Sequence, residues 1–587
     1  MPQGSEFYVR PRYRSERPFD SMLSKVAAGS DNFLNEKYAE EISGILAEWS
    51  AALLRSPGEK ASITKTFSSD FRGTSLGNSG SHTARSSLGL EVRRKTFNSA
   101  AALERNEFMR QWAATFESFS KIEVAEFQVT RIEADASANQ SLKPAVLNTE
   151  VRYEIAGSLA GFHRRQRIGK WRMKWESANQ GPFRLRSLEV LEEEEATSTA
   201  PFFADISASV LAHNSSYSRQ ILHGSDYWRT VIDGACGIDV YGHNGVSVAD
   251  IDGDGLDDLY VCQPAGLPNR LYRNRGDGTF EDLTEASGLG ILENTACALF
   301  ADFSNRGHQD VVLVRTNGPV LLMNDGKGKF REKKDAFQFA NPPQGAFAGA
   351  AVADYDRDGW LDIYFCLYSY YQGTSQYRYP SPYQAAENGP PNFLMRNNGD
   401  ATFRDVTAES GLSKNNTRYS FCCAWDDFNR HRWPDLYVVN DFGRKNLYRN
   451  NGNGTFTDIA PETKAEDVGA GMSVSWLDFD NDGSDDLYVA NMWTAAGMRV
   501  SAQDNFKKDS NAEVRELYQK HAMGNSLLRN VGDNFADITN SSGTGVGRWA
   551  WSSDVFDFDH DGFPDIYIVN GMISGASRSD LNSFFWR

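Results

Sequence analysis

Apolar residues near the start of the chain recur every three or four positions: Leu34, Tyr38, Ile42, Ile45, Leu46, Trp49 and Leu53, then Leu103, Phe108, Trp112, Phe116 and Phe119. That spacing lines one face of a helix, so two amphipathic helices are predicted. The period then falls to two. Thr149, Val151, Tyr153 and Ile155 alternate with Glu150, Arg152 and Glu154; Trp171, Met173 and Trp175 alternate with Lys170, Arg172, Lys174 and Glu176; residues 183–191 read as a last strand. Helices followed by a curved antiparallel sheet make a smaller α+β domain, with Trp171 and Trp175 in its core. The polar stretch 56–87 reads as a loop or disordered insert, and Glu192 to Glu195 as the start of a linker.

Past residue 200 the pattern changes to short runs of Tyr, Val, Ile and Phe between Asn-Gly and Asp-Gly turns, which is hairpin chemistry. A nine-residue loop opens these runs at Asp250, Asp302, Asp354, Asp427, Asp478 and Asp557, most often 51 or 52 residues apart. A second half, of the type Asn269-Arg-Leu-Tyr-Arg-Asn-Arg-Gly-Asp-Gly-Thr-Phe280, follows most copies. Self-similarity at this period means a propeller or solenoid. About four strands per repeat, arranged radially, predict an all-β propeller preceded by the α+β domain.

Four loops place carboxylates at positions 1, 3, 5 and 9: Asp250, Asp252, Asp254 and Asp258; Asp354, Asp356, Asp358 and Asp362; Asp478, Asp480, Asp482 and Asp486; Asp557, Asp559, Asp561 and Asp565. Together with the position-7 carbonyl (Leu256, Trp360, Ser484, Phe563) each makes the all-oxygen cage that calcium prefers. An EF-hand would need Glu at position 12 and flanking helices, whereas strands follow here. About four calcium sites are expected. The Asp302 loop has Ser304 and Arg306 in ligand positions, so its guanidinium is expected to replace the ion by pairing with Asp302 and Asp310. In the Asp427 loop, Asp427, Asn429 and Asp435 remain as a weak candidate site, with His431 at position 5.

These residues resemble FG-GAP or VCBS repeats of the integrin α-subunit propeller type, and the region from Phe202 onward resembles bacterial relatives of the cartilage acidic protein family. The resemblance implies a calcium-bearing propeller, exported from the cytoplasm, and in that family an ASPIC/UnbV segment usually follows. Here the last loop is followed by a single strand, so the repeat region reads as truncated or as a natural short form. Six blades are visible, alone or as part of seven. Phe203-Ala-Asp-Ile-Ser207 matches a repeat's tail with no loop before it. The helix-then-sheet order of the front resembles the cone fold of nuclear transport factor 2-like and SnoaL-like proteins. The expected division is 1–33 extension, 34–195 α+β domain, 196–245 linker and first strand, and 246–587 propeller.

Charge supports the division: residues 1–200 carry a net +2 and the remainder −19. The acidity sits largely in the Asp loops, and with no basic groove nucleic acid is excluded as a partner. None of the six cysteines has zinc or CxxC spacing; Cys262 and Cys366 share a repeat position and read as core. No apolar stretch reaches membrane-span length and no signal-peptide core is visible, so the extracellular or periplasmic destination rests on the family resemblance. Two insertions lengthen the period, about 368–391 and 493–523, the second containing a helix at 512–521. The first is rich in tyrosine, and Tyr370, Tyr371, Tyr377 and Tyr379 are candidates for contact with a protein or glycan ligand. The favoured function is a non-catalytic calcium-binding scaffold for adhesion. The alternatives are a carbohydrate-active enzyme using uncommitted groups such as His243, His521 and Arg548, or small-molecule binding or catalysis in the front cone. No catalytic set is assigned.

Overall fold

The computed structural model describes residues 28–29, 33–77, 79–98, 102–134, 143–178, 181–224, 227–228, 231–232, 244–370, 379–532 and 534–571. The chain forms two compact units: one of residues 1–202 with 495–515, the other of 203–494 with 516–587.

In the first unit the helix Leu34–Arg55 buries Ile42, Leu46, Trp49 and Leu53, and the helix Arg105–Phe116 buries Phe108, Trp112 and Phe116. Both faces close on an eight-stranded sheet whose four longest strands are Lys121–Ala134, Val146–Ser158, Arg164–Glu176 and Arg184–Ser198, paired antiparallel in chain order. The core is aromatic: Trp112 lies 5.8 Å from Trp171, which stacks on Tyr153 at 4.3 Å. Two sequence expectations are corrected. The described residues of 56–87 include a short helix, Ala61–Thr64, and the strands Phe67–Gly73 and Gly80–Ser87. Phe67 and Phe71 reach the core, while the second strand reads as polar because its residues are mostly exposed. Glu192 to Glu195 are no linker but part of the long last strand. Glu193 is tolerated inside because Arg167 and Lys95 pair with it and the Tyr153 hydroxyl donates to it.

The second insertion belongs largely to this unit. Its helix Ala495–Ser501 carries Arg499, which pairs with Glu36 at 2.7 Å and donates to the Val129 carbonyl at 2.6 Å; Gln503 also donates to Glu36. The expected helix 512–521 is present as Ala512–His521.

The second unit is a succession of sheets, each built on the antiparallel strands of one repeat in chain order: four strands in the first, second, fourth and fifth; five in the third, where Phe337–Gln338 adds parallel to Phe403–Asp405 at the edge; and two described strands in the sixth. The first strand of each sheet lies beside the first strand of the next. Apolar clusters fill the space between consecutive sheets; Phe303, Val312, Phe365 and Phe403, for example, join the second and third. This is the repeat's physical logic, because no single four-stranded sheet could bury both faces alone. One contact recurs. The phenylalanine after each repeat's turn packs on position 2 of the preceding loop: Phe403 on Phe303, Phe456 on Tyr355, Phe535 on Phe428, at 5.6–5.9 Å. Phe203 makes the same contact with Phe558 of the sixth loop, at 5.4 Å. The orphan tail thus stands to the last loop as a following repeat would.

Candidate metal centres

Each Asp loop joins the first and second strands of its sheet, and the position-1 carboxylate organises it. Asp354 Oδ1 accepts the Asp358 N–H at 3.0 Å and Oδ2 accepts the Gly359 N–H at 2.9 Å; Asp250, Asp478 and Asp557 do the same in their loops. Position 6 must turn left-handed, and Gly255, Gly359, Gly483 and Gly562 sit there at φ between 84° and 89°. The position-9 carboxylate anchors the loop to its sheet. Asp362 Oδ1 accepts the Asn397 N–H at 2.8 Å and Oδ2 the Tyr355 N–H at 3.3 Å.

The structure gathers ligand atoms within 4.8 Å of one another in Asp250, Asp252 and Asp254; in Asp354, Asp356 and Asp362; in Asp478, Asp480 and Asp486; and in Asp557, Asp559 and Asp565. Several Asp-rich groups could therefore hold a metal. Two observations test the fit. The inner oxygens of the position-3 carboxylates Asp252, Asp356 and Asp480 are buried with no hydrogen-bond donor. A buried acceptor left unmet costs about 1–3 kcal/mol, and the same atom is left so in three loops. Burial, with help from Asp356 and Asp358, also pushes Asp362 up to about 8, and Asp486 rises to about 6 for the same reasons. A cation in the cage would satisfy the oxygens and relieve the repulsion. Arginines from the third strand already offset part of it: Arg396 pairs with Asp356 and Asp358 at 2.6 and 2.7 Å, and Arg529 with Asp480 and Asp482 at 2.6 and 3.2 Å.

Of the two degenerate loops, the Asp302 loop is filled from within, whereas in the Asp427 loop Asp427, His431 and Asp435 bring ligand atoms within 4.8 Å of one another and remain a candidate metal group. Arg306 donates through Nη2 to Asp310 Oδ1 at 2.9 Å and through Nε to Ser304 Oγ at 2.7 Å. The expectation that it pairs with both aspartates is half met: Asp302 takes backbone N–H groups of Arg306 and Gly307 instead. Arg306→Ala should leave the wholly buried Asp310 short of a partner and cost about 1–2 kcal/mol in urea unfolding, discounted because the guanidinium is half exposed. In the Asp427 loop, His431 bridges Asp427 Oδ1 and the Asn450 carbonyl, each at 2.8 Å, and Asn429 Oδ1 lies 3.3 Å from the His431 N–H. Burial pushes Asp435 up to about 7.

The site residues that sequence reasoning missed are the asparagines closing each third strand. Asn324, Asn397, Asn450 and Asn530 each donate one amide hydrogen to the position-2 carbonyl of the preceding loop: Ile251, Phe303, Tyr355 and Phe428, at 2.8–3.0 Å. Each donates the other within its own loop, to Gln309, Leu361, Pro434 and Asp485. One side chain thus fastens two neighbouring cages. The recurring Asn before each Asn-Gly-like turn, preceded by Arg at Asn397, Asn450 and Asn530, was the available signal.

Of the tyrosines proposed for ligand contact, Tyr371 and Tyr377 lie outside the described residues. Tyr370 donates to the Gly389 carbonyl at 2.9 Å, and Tyr379 is 72% exposed. His243 and Cys236 also lie outside the described residues, whereas Cys262 and Cys366 are buried as expected.

Residues 250–313, 302–365, 427–489 and 517–568 match the FG-GAP-like repeat family. It is similar to cartilage acidic protein 1 of Xenopus tropicalis, 30% identical over 181 residues, covering 29% of this chain and 26% of that protein. With cartilage acidic protein 1 of Mus musculus it is 25% identical over 391 residues, 56% of this chain and 57% of that protein. The chain thus spans from about a quarter to just over half of these relatives' length. Among solved structures, a lectin of Agrocybe aegerita is 17% identical, covering 55% of this chain and 73% of its own, with a TM-score of 0.31, too low to carry an argument. No helix among the described residues is long and apolar enough to cross a membrane.

Proposed function

For a chain with matches to FG-GAP-like repeats and to cartilage acidic protein 1, we propose a non-catalytic binding scaffold whose Asp loops are stabilised by calcium. The buried, unmet carboxylate oxygens of Asp252, Asp356 and Asp480 carry this reading, because a hard divalent cation is the simplest group that satisfies all three. The holding residues are the carboxylates of positions 1, 3, 5 and 9 in the four full loops, with the carbonyls of Leu256, Trp360, Ser484 and Phe563. The cation supplies charge neutralisation and crosslinking within a loop. The chain's own residues supply the frame: position 1 shapes the turn, position 9 ties it to the sheet, and the asparagine ties it to its neighbour. Sites of this chemistry in extracellular modules fill at millimolar calcium, which favours an extracellular or periplasmic setting. Residues 34–195, joined by 495–515, form the accessory α+β domain and the rest of 246–587 the scaffold, with Tyr370, Tyr371, Tyr377 and Tyr379 offered to a protein or glycan ligand.

Calcium titration of the EDTA-stripped chain, with anomalous scattering from crystals, should find about four sites, at Asp250, Asp354, Asp478 and Asp557, and none at Arg306. Uptake of no calcium, or strong occupancy beside Arg306, would overturn the assignment.

A further inference from the structure

The Asp427 loop keeps the frame of the full loops but changes its chemistry. Asp427 shapes the turn as its counterparts do: Oδ1 accepts the His431 N–H at 2.8 Å and Oδ2 the Arg432 N–H at 2.7 Å. Arg432 takes, at φ 73°, the left-handed position that glycine holds in the full loops. What differs is the donor set. Position 5 carries an imidazole in place of a carboxylate, and the Asn429 oxygen at position 3 already lies 3.3 Å from the His431 N–H. Calcium takes about six to eight oxygens, more than this loop offers.

Two features favour a different ion. The first is Asp435, which is wholly buried; its Oδ1 accepts the Asn450 N–H at 2.7 Å and lies 3.5 Å from His431 Nε2. In the full loops the position-9 Oδ2 accepts the position-2 N–H, whereas Asp435 Oδ2 is buried with no donor. The second is the imidazole. Its Nδ1 lies 2.8 Å from Asp427 Oδ1 and its Nε2 2.8 Å from the Asn450 carbonyl, so both nitrogens face acceptors. A neutral ring has one N–H to give. Given to the carbonyl, as in many metal-ligating histidines, it leaves the Nδ1 lone pair turned toward the Asp427 oxygen. A second proton would satisfy that pair but not Asp435 Oδ2. Among the described residues no arginine or lysine pairs with Asp427 or Asp435, unlike the third and fifth loops. Ligand atoms of Asp427, His431 and Asp435 lie within 4.8 Å of one another. The group opens to solvent, because the Asp427 and His431 side chains are 34% and 28% exposed and Asn429 is exposed. One imidazole with two carboxylates suits zinc and its first-row neighbours, which bind such atoms at about 2.0–2.2 Å.

We propose that the Asp427 loop is a zinc-type site, in which Asp427, His431 and Asp435 hold a divalent first-row transition ion in preference to calcium. It borrows the repeat's loop frame and stands apart from the calcium reading of the four full loops. The test is zinc titration calorimetry on the untagged, EDTA-stripped full chain in excess calcium, with zinc-edge anomalous scattering from crystals grown in both ions. One zinc should bind with its anomalous peak beside His431. His431→Ala should weaken that binding tenfold or more and leave the number of bound calcium ions unchanged. Should the alanine variant fail to fold, His431→Gln decides, since it keeps a donor for the Asn450 carbonyl and loses the imidazole lone pair. No zinc peak beside His431, calcium in this loop while zinc is present, or equal zinc affinity in the folded variant overturns the proposal. A chain that takes zinc here but no calcium elsewhere keeps this site and loses the calcium reading; the reverse result loses this site alone.

Discussion

Stripping calcium with EDTA is expected to lower the melting temperature of the repeat unit by roughly 10 °C or more, while the transition of the α+β unit stays within a degree or two. A ligand that binds only the folded state stabilises it by about 2.7 kcal/mol per site at a hundredfold excess over its dissociation constant. Four such sites, if independent, would supply roughly 10 kcal/mol. The loss should be steep because carboxylates that share each cage repel one another and the position-3 oxygens of Asp252, Asp356 and Asp480 stay unmet. Arg396 and Arg529 soften the effect in the third and fifth loops, so the first should suffer most per site. There Arg273 approaches Asp252 only to 3.7 Å. Scanning calorimetry with and without EDTA, followed by calcium add-back, measures this. Two transitions that shift together, or a repeat-unit transition indifferent to EDTA, would refute confinement of calcium to the repeats.

Asn450→Ala should destabilise the repeat unit by roughly 3–5 kcal/mol even with calcium saturating, a larger effect than most single exposed-loop changes. Asn450 is 1% exposed, and its amide serves the Tyr355 carbonyl at 2.9 Å and the Pro434 carbonyl at 3.1 Å, while its Oδ1 accepts the Gly452 N–H at 3.0 Å. Removal strands polar groups in two neighbouring repeats, each costing about 1–3 kcal/mol when no water can reach it. Asn450→Asp keeps the acceptor and loses the donors, so it should rescue little. Chemical denaturation of both variants reads the effect; a cost below about 1 kcal/mol for the alanine variant would show that the staple contributes little.

Much of this protein was legible because its chemistry is periodic. The loop frame at Asp250, Asp354, Asp478 and Asp557 follows from residue type and spacing alone: alternate positions of a tight turn converge, and only glycine takes position 6 without strain. The strand runs after each loop, the helix faces around Trp49 and Trp112, and the internal substitution at Arg306 were readable for the same reason: a local rule fixes which way each side chain turns. What the tertiary structure decided is every interaction between residues distant in sequence. The polar strand Gly80–Ser87 looked like a loop because its stability comes from pairing with Leu90–Thr96, which composition does not encode. Glu192 to Glu195 looked like a solvated linker because charge normally means water; Arg167 and Lys95, 26 and 98 residues from Glu193, make burial possible. The Asn450 staple joins residues 95 apart, and the same residue's carbonyl and N–H orient His431 and Asp435 from 19 and 15 residues away. A hydrogen bond's worth depends on what else is buried beside it, and burial is settled only when the sheets have packed.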